Sequence, residues 1–236
     1  MSDSNKQPDW ADLLAAQWMD TIKNNISKDA NNIQKDHINK IPKPIIGEIN
    51  FDQPDYLLRK ILLENNWQFS AAKTSDDNIL LNNLLLDGNS NLKNWNNFKY
   101  DAINICNIIE IDYNLLQKDY NTIVASAQMS RLWYEIQRDK AIFPFVQFLV
   151  VQDDHTSKIC SSLHNLIFSV DDPVLACYFP PNHDGCRTTV KKLRYAVPSR
   201  DYTLPEISEK FKYNIPQIVN KIFGDTFLNP KNTNFK

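Results

Sequence analysis

Cysteine and histidine recur over a short stretch of this chain, at Cys160, His164, Cys177, His183 and Cys186. The pairs Cys160-x-x-x-His164 and His183-x-x-Cys186 offer two thiolates and two imidazoles. That set suits zinc, which accepts tetrahedral sulfur and nitrogen ligands and has no redox chemistry of its own. In a loop-rich segment such an ion would act as a staple and supply folding energy. The same residues allow plainer readings. Cysteine often behaves as a small hydrophobe, and Cys177, between Ala176 and Tyr178, and Cys106, between Ile105 and Asn107, read that way. Cys160, His183 and Cys186 could pack without a metal, the two thiols could form a disulfide after cell lysis, and His164 could be a surface side chain. A Cys-His-Asp nucleophilic set can be drawn on paper, whereas the zinc-deaminase pattern is absent.

Arg187 follows Cys186 directly. A guanidinium fork fits a carboxylate, so the expectation is a clamp onto Asp153-Asp154 or Asp171-Asp172, with a DNA phosphate as the functional alternative.

These residues need elements to hold them. Ala125, Met129, Leu132, Trp133 and Ile136 recur at helical spacing and predict a helix from about Tyr113 to Lys140, with that face in the core. It must end before Phe143-Pro144, because proline disfavours helical conformation in the residue preceding it. Phe145–Val151 is short, β-branched and aromatic, hence a buried strand that delivers Asp153 and Asp154 at its end. A loop-rich stretch then runs to about Val190, and a strand near Arg187–Leu193 could pair with the first. Helices are expected at Leu204–Phe211 and near Ile215–Phe223. Upstream, Trp10–Ile26 reads as an amphipathic helix, followed by a polar run to Pro42 and Pro44. The fold class is α+β: a helical N-terminal half, a small antiparallel sheet with long loops, and C-terminal helices. The parts are an N-terminal helix and linker (1–50), a helical region (51–142) and a motif domain with a basic tail (143–236).

Composition narrows the function classes. At 236 residues, 42% hydrophobic and 23% charged, the chain can bury a real core. No apolar run approaches the roughly 20 residues that span a bilayer, and the polar start, Met1 to Pro8, has no signal-like apolar region. The expectation is therefore a protein made in a reducing cytoplasm. Only four glycines are present, and neither GxGxxG nor a Walker A sequence occurs, which argues against a nucleotide enzyme of either common type. A net charge of -2 conceals a basic excess after Cys186. That tail could touch phosphates or be merely a solvated surface.

Three runs carry a resemblance. Asp153-Asp154-His155-Thr156-Ser157-Lys158-Ile159-Cys160, then Asp171-Asp172-Pro173, then Pro180-Pro181-Asn182-His183-Asp184-Gly185-Cys186-Arg187 together resemble the phage Mu F-like head-morphogenesis family. The helix from Tyr120 to Trp133, Phe143-Pro144 and Trp95-x-x-Phe98 resemble the family's lead-in, so the likeness covers about residues 90–195. It implies a minor capsid protein acting in head assembly near the portal, with portal and capsid or scaffold proteins as partners and DNA as a further contact. It implies residence in the phage head, with host cytoplasm as the place of assembly, and no catalytic residue. Asp153, Thr156, Ser157, Pro181 and Arg187 are its motif positions. Two departures stand out: His155 where arginine is usual, and Asn165 where glycine is usual. Asparagine tolerates a left-handed turn, whereas His155 removes a permanent cation. The chain is short for the family, which leaves open a missing portal-proximal region or a prophage remnant. The competing reading is a metal-dependent nuclease or toxin-like effector domain.

Overall fold

The computed structural model describes residues 55–105 and 112–224. The expected helix at Trp10–Ile26, the Pro42/Pro44 stop, Cys106 and the end of the basic tail lie outside the described residues.

Within them the order is α1 (Tyr56–Glu64), α2 (Ser75–Asn83), α3 (Trp95–Ile105), α4 (Tyr113–Asp139), β1 (Phe145–Leu149), α5 (Lys158–Leu163), β2 (Ile167–Ser169), α6 (Pro173–Tyr178), β3 (Thr189–Leu193) and α7 (Asn214–Phe223). This is the α+β arrangement expected: helices first, a small antiparallel sheet, then a closing helix. Among the described residues no helix is long and apolar enough to cross a membrane.

The helix starts are written in capping side chains. Thr74 and Asp77 form a reciprocal capping box on α2. Asp112 accepts from the backbone of Asn114 and Leu115 to begin α4. Asp172 caps α6, with Pro173 at its first turn, where proline's missing N–H costs nothing.

Helix α4 is the spine. Met129, Trp133 and Ile136 are buried on it as the spacing predicts, but the buried side also takes in Ser126, Ser130 and Gln137, leaving Ala125 and Leu132 at its margin. The apolar stripe is thus wider and more polar than periodicity alone suggests. One hydrophobic cluster runs from Ile61 and Leu62 through Phe98, Trp133, Val146 and Phe148 to Ile215 and Val219. Trp133 meets Phe179 edge-on at 4.7 Å, so the spine anchors the residue immediately before Pro180-Pro181.

In the sheet β1 is central and antiparallel to both neighbours, in the order β2-β1-β3. The pairing of the two longer strands sets Phe145 opposite Leu193 and Leu149 opposite Thr189. Val146 and Phe148 alternate inward, as a strand with one face on a core must.

Two expectations need correction. Leu204–Phe211 is not a helix. Tyr178 donates to the Pro205 carbonyl at 2.9 Å, and the chain has no regular structure before it turns over 208–213. Buried Ile207 and Phe211 hold that segment by side-chain packing, with no regular backbone ladder. The stretch after Asp154 is also more ordered than a run of loops, since it contains α5, β2 and α6.

Candidate metal centre

Central strand β1 ends at Leu149, and the next residue, buried Val150, packs with Cys160 and Cys186 in a small cluster apart from the main core. Three segments meet there: the end of β1, helix α5 and the turn ahead of β3.

The loop after β1 is tied by its own side chains. Asp153 takes an N–H from His155 at 3.0 Å, and its own N–H donates to the Thr156 hydroxyl at 3.0 Å. Thr156 in turn donates to the Val151 carbonyl. Arg187 then closes a two-point fork on Asp153, one arm at 2.6 Å. Of the two acidic pairs weighed for Arg187, the structure selects Asp153. Asp171 pairs with Lys140 at 2.7 Å, and Asp172 is spent on capping. The fork is solvent-facing and holds the Asp153 carboxyl far below the usual carboxylate range, the Arg187 hydrogen bond being the main cause.

Ser157 caps α5, accepting from the Cys160 N–H at 3.1 Å. This places Cys160 Sγ 3.6 Å from Cys186 Sγ and 3.0 Å from His183 Nε2. All three candidate ligand atoms lie within 4.8 Å of one another. A tetrahedral zinc with Zn–S near 2.3 Å sets its sulfurs about 3.8 Å apart, so the pair already stands close to ligand spacing.

The surroundings favour electron-pair donors. Nδ1 of His183 lies 2.8 Å from the Asp184 carbonyl. A carbonyl only accepts, so Nδ1 carries the proton and Nε2 presents its lone pair to the sulfurs, the orientation found in metal-bound histidines. The Ser157 hydroxyl, 2.8 Å away, points at that same lone pair. Ionisation is split between the thiols. Cys186 is lowered, first by the hydrogen bond from Cys160 and then by backbone N–H groups of Asn182 and Thr188. Cys160 is raised by the same contact and by burial. The buried Thr188 hydroxyl, with no oxygen or nitrogen partner, lies against both sulfurs.

Of the four residues proposed as ligands from sequence, Cys160, His183 and Cys186 come together. His164 does not join them: its Nδ1 accepts from the Val150 N–H at 3.3 Å, which pins the end of α5 to the strand. Pro181 is buried next to buried Asn182, and the Pro180–Pro181 bond is cis. Asp184 is held by Lys118 at 3.0 Å and Lys210 at 2.8 Å, fastening the closing turn to α4 and to the C-terminal segment. The supporting roles of Asn182, Asp184 and Thr188 were not foreseen; their only signal is position, within two residues of a ligand. A cavity of about 20 Å³ adjoins the cluster, lined by His155, Ser157, Cys160, His183 and Arg187 among others. A space of that size holds a water or an ion.

Comparison with known proteins finds two partial matches. A stretch of 58 residues is 40% identical to the Mu-like prophage FluMu F protein of Haemophilus influenzae, covering 24% of this chain and 14% of that protein. Over part of its length the chain is similar to Mu F proteins. A 77-residue stretch is 29% identical to the putative capsid assembly protein F of Escherichia phage Mu, covering 33% of this chain and 18% of that one. The Mu F-like match therefore spans less than a fifth of either curated relative. No family model and no solved structure matches the chain.

Proposed function

We propose that this chain is a phage head-morphogenesis protein, a minor capsid component that acts during assembly near the portal. The observation that carries the reading is the similarity to two F proteins, one of them named for capsid assembly. The thiol–imidazole cluster of Cys160, His183 and Cys186 offers three ligands at one point, and an ion held there would staple the segments that carry them. Zinc is the ion that this donor set fits best, and its role would be to hold the loop after β1 to the turn before β3. Asp153, Thr156, Ser157, Pro181 and Arg187 then serve as the framework of that module. Partners would be other head components, the portal and capsid or scaffold proteins, met in host cytoplasm during assembly and retained in the virion. DNA contact would fall to the basic segment after Cys186.

Gradient fractionation of lysates tests the reading. The protein is expected to sediment with head-sized particles or their precursors. Recovery solely as free protein throughout the growth cycle would overturn it.

A further inference from the structure

Three convergent ligands leave one corner of a zinc tetrahedron open, and the structure narrows what can fill it. His164, the fourth residue of the sequence pattern, is engaged by the Val150 N–H through Nδ1. Asp153 is engaged by the Arg187 fork. Ser157 is a neutral hydroxyl already accepting from the Cys160 N–H, and zinc prefers nitrogen, thiolate or carboxylate ligands. His155 remains. It lines the same small cavity as Cys160 and His183, its side chain is exposed, and its imidazole has no hydrogen-bond or ion-pair partner among the described residues.

We infer that His155 supplies the fourth ligand, closing a Cys160–Cys186–His183–His155 zinc site from the loop that Arg187 clamps. This rests on the zinc reading of the thiol–imidazole cluster proposed above. His155 is not one of the three ligands within 4.8 Å of one another, so metal binding draws its side chain inward over the cavity. The His155 N–H is held by Asp153 at 3.0 Å, and Asp153 is held by Arg187, so the loop stands over the turn bearing Cys186 before any ion arrives. The three ligands of the seat are buried or half-buried, and His155 is the exposed residue that would close it. Closing it with nitrogen instead of water makes the site structural, because no position stays open for a substrate.

Cobalt(II) is the probe, loaded into the reduced full-length chain and read by visible absorption and by competition with a chelator. The wild type is expected to give the intense d–d bands of tetrahedral S₂N₂ coordination, and Cys186→Ser to lose them. His155→Ala is expected to keep binding but to weaken it by more than the roughly 10- to 100-fold that loss of an outer hydrogen-bond partner costs. X-ray absorption of the zinc form should show one imidazole fewer in that variant. His155→Cys, which offers another zinc ligand, should restore tight binding with a more sulfur-rich spectrum. Cobalt bound normally, lost in Cys186→Ser but unaltered in His155→Ala, would overturn the role of His155 alone. So would an alteration seen in His164→Ala instead. Failure of the wild type to bind cobalt or zinc would overturn the zinc reading and this inference with it.

Discussion

At the residue scale, what sets this chain apart is the convergence of lone pairs on one point. Two sulfurs 3.6 Å apart and an Nε2 at 3.0 Å from one of them form a donor set of the kind zinc accepts. Elemental mass spectrometry of the reduced protein is expected to find near-stoichiometric zinc, and Cys186→Ser to lose it. Metal absent from both would leave Cys160, His183 and Cys186 as packing residues. The Arg187–Asp153 fork acts differently. Both partners face solvent, where ion pairs add little to stability. Arg187→Lys, which cannot reproduce the fork, should leave the melting temperature nearly unchanged yet speed amide exchange in the Val151–Ser157 loop. A large fall in melting temperature would show that the pair matters to the whole fold.

At the element scale the long helix and the central strand were readable because each follows one simple period. Tyr113–Asp139 matches its expected span closely, and β3 pairs with β1 as its position after the loops suggested. Helices α5 and α6 escaped because six residues are too few for a period to emerge. Their signal lay in the caps, Ser157 ahead of α5 and Asp172-Pro173 ahead of α6. Leu204–Phe211 misled for the opposite reason: an apolar pattern was present, but tertiary packing of Ile207 and Phe211 settled its backbone. Asn165 met its expectation, adopting φ 63° where glycine is usual in the resemblance. The site was half legible. Ligand types could be read from spacing, but His164's attachment to Val150 depends on a strand and a helix end meeting in space. Removing the α6 cap by Asp172→Ala should cost about 1 kcal/mol in urea denaturation. The end of α4 carries a pH signature. Asp139, bonded to Arg138 and to Lys192 of β3, is lowered to about 2. A lowered carboxyl stabilises the fold in full above its unfolded value, about 3.9, and the contribution fades as pH falls towards 2. Asp139→Asn should therefore destabilise at pH 6 and flatten the acid limb of the melting curve. An unchanged acid limb would rule that ion pair out as its source.

At the scale of the whole molecule, a single core joins the helical part to the sheet, and the site is fixed to it through Trp133 and Phe179. Trp133→Ala should cost about 3–5 kcal/mol, and by freeing Phe179 it should also weaken metal retention. A comparable loss of stability with full zinc content would separate the core from the site. The proposed head-assembly role is tested most directly by deleting the coding sequence from its native genome and examining lysates after prophage induction by electron microscopy. The account predicts few or aberrant heads and a collapse of titre, restored by the wild-type chain supplied in trans. Normal heads and normal titre in its absence would contradict it.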